Sequence, residues 1–247
     1  MATEIIRIVP LHPGPAAPAA AAPATPPNLT YRGGPLLTAV QVFTVFWGAA
    51  WQGAQAQLAQ QLNQFFGYVL TSPLQDQMTE YNTAGATIGH GALAGTRTIT
   101  AKSPARSITD ARIQAAIQSW IKAGTVPPAT AETLYFVYLP PGVTVSMGGQ
   151  KSCSAFCGYH ESIGGKVFYA VMPFPGCSGC AGGLATLDAL TSTSSHELYE
   201  AITDPIPGQG WYDDANGEIG DICAWQTRKL DRWTVQLEWS NKAGRCL

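Results

Sequence analysis

Six cysteines, at positions 153, 157, 177, 180, 223 and 246, all fall in the C-terminal half of this 247-residue chain, and whatever fold the chain adopts must account for them. An even set of this size can close as three disulfides in an oxidising compartment, and spacing alone does not choose the connectivity. Local closure predicts Cys153 with Cys157, Cys177 with Cys180, and Cys223 with Cys246. The alternative is a structural zinc held by Cys153, Cys157, Cys177 and Cys180, because Cys-x3-Cys and Cys-x2-Cys both suit tetrahedral thiolate ligation. Composition favours disulfides: only 12% of residues are charged, against roughly 25% in an average domain. That balance fits a secreted or cell-surface protein. A formal net charge of −2 with no block of Lys or Arg leaves no electrostatic footprint for nucleic acid or anionic membrane. No run approaches the roughly 20 apolar residues of a membrane span. The first residues, "MATEIIRIVPLHPGP", lack the basic and apolar regions of a secretory signal, so extracellular localisation is expected from the cysteines and not from an address sequence.

Residues 10–27, "PLHPGPAAPAAAAPATPP", carry too many prolines for a helix and too little hydrophobicity for a core. We read residues 1–30 as a Pro/Ala-rich disordered arm or linker and residues 31–247 as one catalytic domain. Within it, "LLTAVQVFTVFWG" (36–48) reads as a strand buried on both faces. The stripe Leu58, Leu62, Phe65 and Val69 follows as a helix, then a weaker strand in "ATIGHGAL" (86–93). A second helix spans "TDARIQAAIQSWIKAG", capped by Thr109 and ended at Gly124, with Ile113, Ile117, Trp120 and Ile121 as its apolar face. "ETLYFVYLP" and "KVFYAVMPF" are two more strands, joined by a cysteine-containing loop over 151–165. The last helix starts near "GGLATLDALTSTSS" and stops before Pro205; beyond Gly- and Asp-rich turns, "RWTVQLEW" alternates as a half-exposed strand does.

The chemistry concentrates in "TSTSSHELYEAITDP", residues 191–205, in a chain with only four histidines. On a helix, positions i and i+4 share a face, so His196 and Glu200 can hold one cation, with Glu197 beside them. In the His-Glu-x-x-His arrangement two histidines bind zinc and the intervening Glu takes a proton from the water that the metal activates. A carboxylate in the second ligand position makes the site more tolerant of calcium or manganese. The third ligand must come from elsewhere, and "GWYDDANGEIGDIC" offers Asp213, Asp214, Glu218 and Asp221; Asp221 or Glu218 is the choice. His160 in "CGYH" is a further candidate, although a loop histidine beside a disulfide is the commoner reading of such a residue. A helical histidine with two nearby glutamates is usually a solvated surface feature. Against that, so many carboxylates in a charge-poor chain are costly without a cation. Trp211 and Trp225 lie near enough in sequence to line a cleft, while the remaining aromatics read as core.

Four motifs together, "YRGGPLLTAVQVFTVFWG", "VTVSMGGQKSCSAFCGYH", "SSHELYEAITDP" and "WYDDANGEIGDIC", resemble the EXORDIUM or phosphate-induced protein family, plant cell-wall proteins with bacterial relatives. The likeness runs from about Tyr31 to Cys223. It departs from the family at Cys177-x2-Cys180, where the family tends to have one more residue. The resemblance implies an extracellular protein and supports treating His196, Glu200 and Asp221 as a set. By analogy of element order, the fold expected is a zincin-like α/β (α+β) single domain. It comprises a mixed sheet with two packing helices, an active-site helix and an irregular, disulfide-containing C-terminal part. The function expected is a secreted zinc-dependent peptidase, with calcium as alternative or additional ion. His196, Glu200 and Asp221 or Glu218 hold the metal, Glu197 is the general base, and His160 or Tyr212 stabilises the oxyanion. A peptide or protein substrate would pair along the edge of "KVFYAVM". The rival is a non-enzymatic cell-wall or glycan-binding protein in which the ion is structural.

Overall fold

The apolar run "TLYFVY" is buried at every position because it becomes an interior strand covered on both faces. It lies in a six-stranded sheet of the computed structural model, which describes residues 8–13 and 26–247. The strands are β1 (Ile8–Pro10), β2 (Gln41–Trp47), β3 (Ala92–Ile99), β4 (Thr133–Tyr138), β5 (Phe156–Ile163) and β6 (Val167–Met172), in the order β1-β5-β6-β4-β2-β3. Parallel pairing joins β6, β4, β2 and β3, whereas β5 runs antiparallel to both β6 and β1. Alternation along β4 sends Leu134, Phe136 and Tyr138 into one core and Tyr135 and Val137 into the other.

Helix α1 (Ala56–Val69) buries Leu62, Phe65, Phe66 and Val69 on the first face. On the second, α2 (Asp110–Lys122) buries Ile113 and Ile117. As its sequence predicts, the Thr109 side chain caps α2 by accepting the Arg112 N–H, at 3.4 Å. Helix α3 (Thr186–Thr203) starts four residues later than "GGLATLDALTSTSS" suggested and stops before Pro205 as expected. Its Ser- and Thr-rich sequence has low intrinsic helix propensity, so tertiary burial sustains it: every residue from Ala189 to Thr203 is buried. The hydroxyls are satisfied on all sides. Thr191 donates to the Thr234 carbonyl at 2.7 Å, Ser195 accepts the Gln236 N–H at 2.9 Å, and Ser194 pairs with the Tyr138 hydroxyl at 2.7 Å.

Several expectations are corrected. The weak strand moves from 86–93 to Ala92–Ile99, an edge strand whose partial exposure obscures its periodicity. Residues 156–163 form β5 instead of a loop; their Cys, Gly, His and Ser content hides a strand that is buried over its first half. β6 lies between β5 and β4, so "KVFYAVM" offers no free edge. "RWTVQLEW" yields Trp233–Gln236, paired with Thr227–Leu230 and buried on both faces. Ile8–Pro10 joins the sheet on the outer edge of β5, with Val9 buried, so the folded part begins before Tyr31; residues 14–25 of the Pro/Ala arm lie outside the described residues. All six cysteines are paired: Cys223 with Cys246 as expected, but Cys153 with Cys177 and Cys157 with Cys180. Once 156–163 extends into β5 and 178–181 winds into a helical turn, the two segments face each other, and the bridges cross between them. No thiolate is left for a structural zinc. Among the described residues no helix is long and apolar enough to cross a membrane.

Candidate metal centre

Three segments converge beneath the sheet. Helix α3 supplies His196, Glu197 and Glu200; β5 supplies His160; and the turn at Asp221–Cys223 supplies Asp221, preceded by Glu218. Period-two alternation on β5 sends Tyr159 into the far core and leaves Gly158 and His160 facing α3. Asp221 is held by the Glu218 N–H, which donates to its Oδ2 at 3.1 Å, and by the neighbouring Cys223–Cys246 disulfide. Glycine allows the close approach. A Cβ on Gly220 would lie 2.9 Å from both Glu200 Oε1 and His196 Nδ1, and one on Gly158 would lie 2.7 Å from the Thr193 methyl.

Two triads of ligand atoms result, each gathered within 4.8 Å: His196, Glu200 and Asp221, and His160, Glu200 and Glu218. In the first, His196 Nε2 stands 2.8 Å from Glu200 Oε1 and 3.8 Å from Asp221 Oδ1. Those separations bracket the roughly 3.3 Å edge of a tetrahedron built on zinc–ligand bonds of about 2.0–2.1 Å. The 2.8 Å approach is an ion-pair distance that does not meet hydrogen-bond geometry, and both nitrogens of His196 are fully buried without a hydrogen-bond partner. His196, Glu200 and Asp221 thus each offer an atom close enough for one ion to bind all three. Glu197 Oε1, Glu200 Oε2, both oxygens of Glu218 and Asp221 Oδ1 are buried and unbonded in the same way, where about nine in ten buried polar groups are paired.

Electrostatics sharpen the point. Burial works against a charge on His196, but Glu200 first, then Glu197 and Asp221, outweigh it and push its pKa up to about 10. Burial first, with the charge on Glu200 adding to it, lifts Glu218 and Asp221 well above the carboxylate range. Glu200 goes the other way: burial would raise it, but His196 and His160 bring it down to about 2. Among the described residues, the ion pairs of these carboxylates are all with histidine. Two carboxylate charges about 4 Å apart repel by ~4 kcal/mol at an effective dielectric of about 20, so the cluster needs protons or cations. A divalent ion among His196, Glu200 and Asp221 would supply that charge.

Of the acidic return segment, Glu218 and Asp221 enter the cluster and the other two do not. Asp213 caps its own turn by accepting the N–H groups of Ala215 and Asn216, and Asp214 pairs with Arg32 at 2.6 Å on the surface. His160 is brought into the centre itself, at 3.1 Å from Glu197 Oε2. Tyr212 is positioned by strand pairing with Thr30 and by the Arg32 guanidinium, 4.4 Å from its ring centre. Trp211 and Trp225 donate their indole N–H groups to the Tyr81 and Pro10 carbonyls, which makes them anchors. One participant was missed: Glu238 is fully buried with both oxygens unbonded, its pKa raised by burial first, while the charge on His196 pulls it down. Its segment, "RWTVQLEW", alternates as a half-exposed strand does, which gives no signal of a buried carboxylate. A cleft lined by Trp47, Ile99, Ile108, Arg112 and Trp120 belongs to the opposite side of the sheet.

No family model, no curated protein and no solved structure matches the chain, so the EXORDIUM resemblance rests on its four motifs alone.

Proposed function

We propose that this is an extracellular metalloprotein in which His196, Glu200 and Asp221 hold a zinc ion, and that its activity is peptide-bond hydrolysis with Glu197 as general base. One observation carries the metal: the buried, unbonded Nε2 of His196, set against Glu200 and Asp221. When bound, the ion would polarise a carbonyl and lower the pKa of a water. Glu197 adjoins the ligands with Oε1 unbonded and Oε2 steadied by His160 at 3.1 Å, the posture of a group that accepts a proton. In this reading a peptide pairs with the outer edge of β5 beyond Tyr159, since Phe156–Tyr159 are already paired with Ile8–Pro10. Ile8–Pro10 already lies along it antiparallel, as an extended peptide does. The arrangement of α3 under a mixed sheet with an antiparallel strand near its edge is zincin-like by analogy only. Three disulfides support the extracellular assignment.

A second reading is a non-enzymatic cell-wall or glycan-binding protein with an enclosed structural ion, zinc or calcium. The full burial of His196, Glu197, Glu200 and Glu218 favours it, because structural sites are closed and catalytic ones keep a position open. Digestion of a peptide library with and without chelator separates the two. The peptidase reading predicts chelator-sensitive cleavage that Glu197→Gln lowers by at least about a hundredfold, the scale of lost general-base catalysis, with metal content unchanged. Full metal content and no cleavage by the wild type would leave the structural reading.

A further inference from the structure

The carboxylate of Glu200 stands between two sets of donors. Its Oε1 faces His196 Nε2 at 2.8 Å and accepts the Asp221 N–H at 3.1 Å. Its Oε2, buried and unbonded, faces His160 Nδ1 at 3.5 Å. Beyond it Glu218 Oε1 stands 3.5 Å from His160 Nε2, with both Glu218 oxygens unbonded. Unsatisfied atoms thus lie on both sides of Glu200, and one ion at the first triad answers only those on one side.

His160 adds a second argument. Its Nδ1 faces Glu197 Oε2 and its Nε2 faces the Asp204 carbonyl, each at 3.1 Å. A neutral imidazole has a single N–H to donate, so one nitrogen must set a lone pair against an oxygen unless a proton or a cation intervenes. Charge supplies the third. Glu197, Glu200, Glu218, Asp221 and the neighbouring Glu238 can carry five negative charges, and no Lys or Arg enters the ion pairs described for the first four; one divalent ion neutralises two. Two imidazoles and three carboxylates are thus gathered as ligands from a strand, a helix and a turn, with Glu197 beside them.

We propose that the cluster is a dinuclear centre for first-row divalent cations, the second held by His160, Glu200 and Glu218, with Glu200 bridging the two through its separate oxygens. This rests on the first site of the proposed function; imidazole ligation favours zinc or iron, and the carboxylates admit manganese.

The test uses the full chain, stripped with chelator, dialysed against zinc or manganese chloride and analysed for bound metal by inductively coupled plasma mass spectrometry. Two ions per chain are expected, falling to one in Glu218→Gln and to one in Asp221→Asn. The manganese-loaded wild type should show an exchange-coupled electron paramagnetic resonance spectrum, replaced in Glu218→Gln by that of an isolated ion. If Glu218→Gln does not fold, the coupled spectrum of the wild type decides alone. One ion per chain with an uncoupled spectrum overturns the second site and leaves the first. No bound ion overturns both.

Discussion

Gly220 shows how much of the centre depends on what a residue lacks. Its backbone, at φ −79 and ψ −38, suits any residue, so alanine there carries no conformational strain. A Cβ would nevertheless press on His196 Nδ1 and Glu200 Oε1 at 2.9 Å. We expect Gly220→Ala to weaken cation binding by about tenfold or more, roughly 1.4 kcal/mol, in competition with a chromophoric chelator, while the far-ultraviolet circular dichroism is unchanged. Unaltered affinity would mean that the ligands do not meet where Gly220 touches them. At this scale the sequence was partly readable. The i, i+4 spacing of His196 and Glu200 and the acidic return with Glu218 and Asp221 are local patterns, and both reach the cluster. Glu238 was not readable, because alternation separates two faces of a strand without saying what covers each. Here the polar face of Trp233–Gln236 packs on the hydroxyl-rich side of α3, where Ser195 accepts the Gln236 N–H.

Among elements, those whose burial follows one period were legible: β2 as a run buried on both faces, α1 and α2 as striped helices with a cap at Thr109. β5 was not, since glycine, cysteine and histidine occupy the positions where apolar residues signal a strand, and they are there to face α3 and to form disulfides. Cysteine pairing was legible only for Cys223 with Cys246, the pair without a near rival in sequence. That bridge closes a segment of 23 residues and ties the turn carrying Asp221 to the C-terminus. Loop-closure entropy for such a segment is worth roughly 3 kcal/mol. The double variant Cys223→Ser, Cys246→Ser should lose about that much stability in urea denaturation and bind the cation less tightly, because Asp221 is no longer anchored. An unchanged denaturation midpoint would show that the turn is fixed by other contacts.

Taken whole, the molecule places an apolar-faced sheet between two cores and reserves one of them for a polar interior. α3, saturated with hydroxyls and buried along most of its length, is the element that makes such an interior possible. The mixed α/β class could be read from the order of elements, whereas the depth of the cluster could not, since His-Glu-x-x-Glu spacing is equally compatible with a surface helix. Burial is what turns a plausible ligand spacing into a demand for a cation, and it also sets the most direct test. Crystals of the full chain grown with added zinc, with diffraction recorded above and below the zinc absorption edge, should give an anomalous peak bounded by His196, Glu200 and Asp221. An anomalous map without a peak there, with the same side chains instead hydrogen-bonded to one another or to water, would contradict the metal centre on which this account depends.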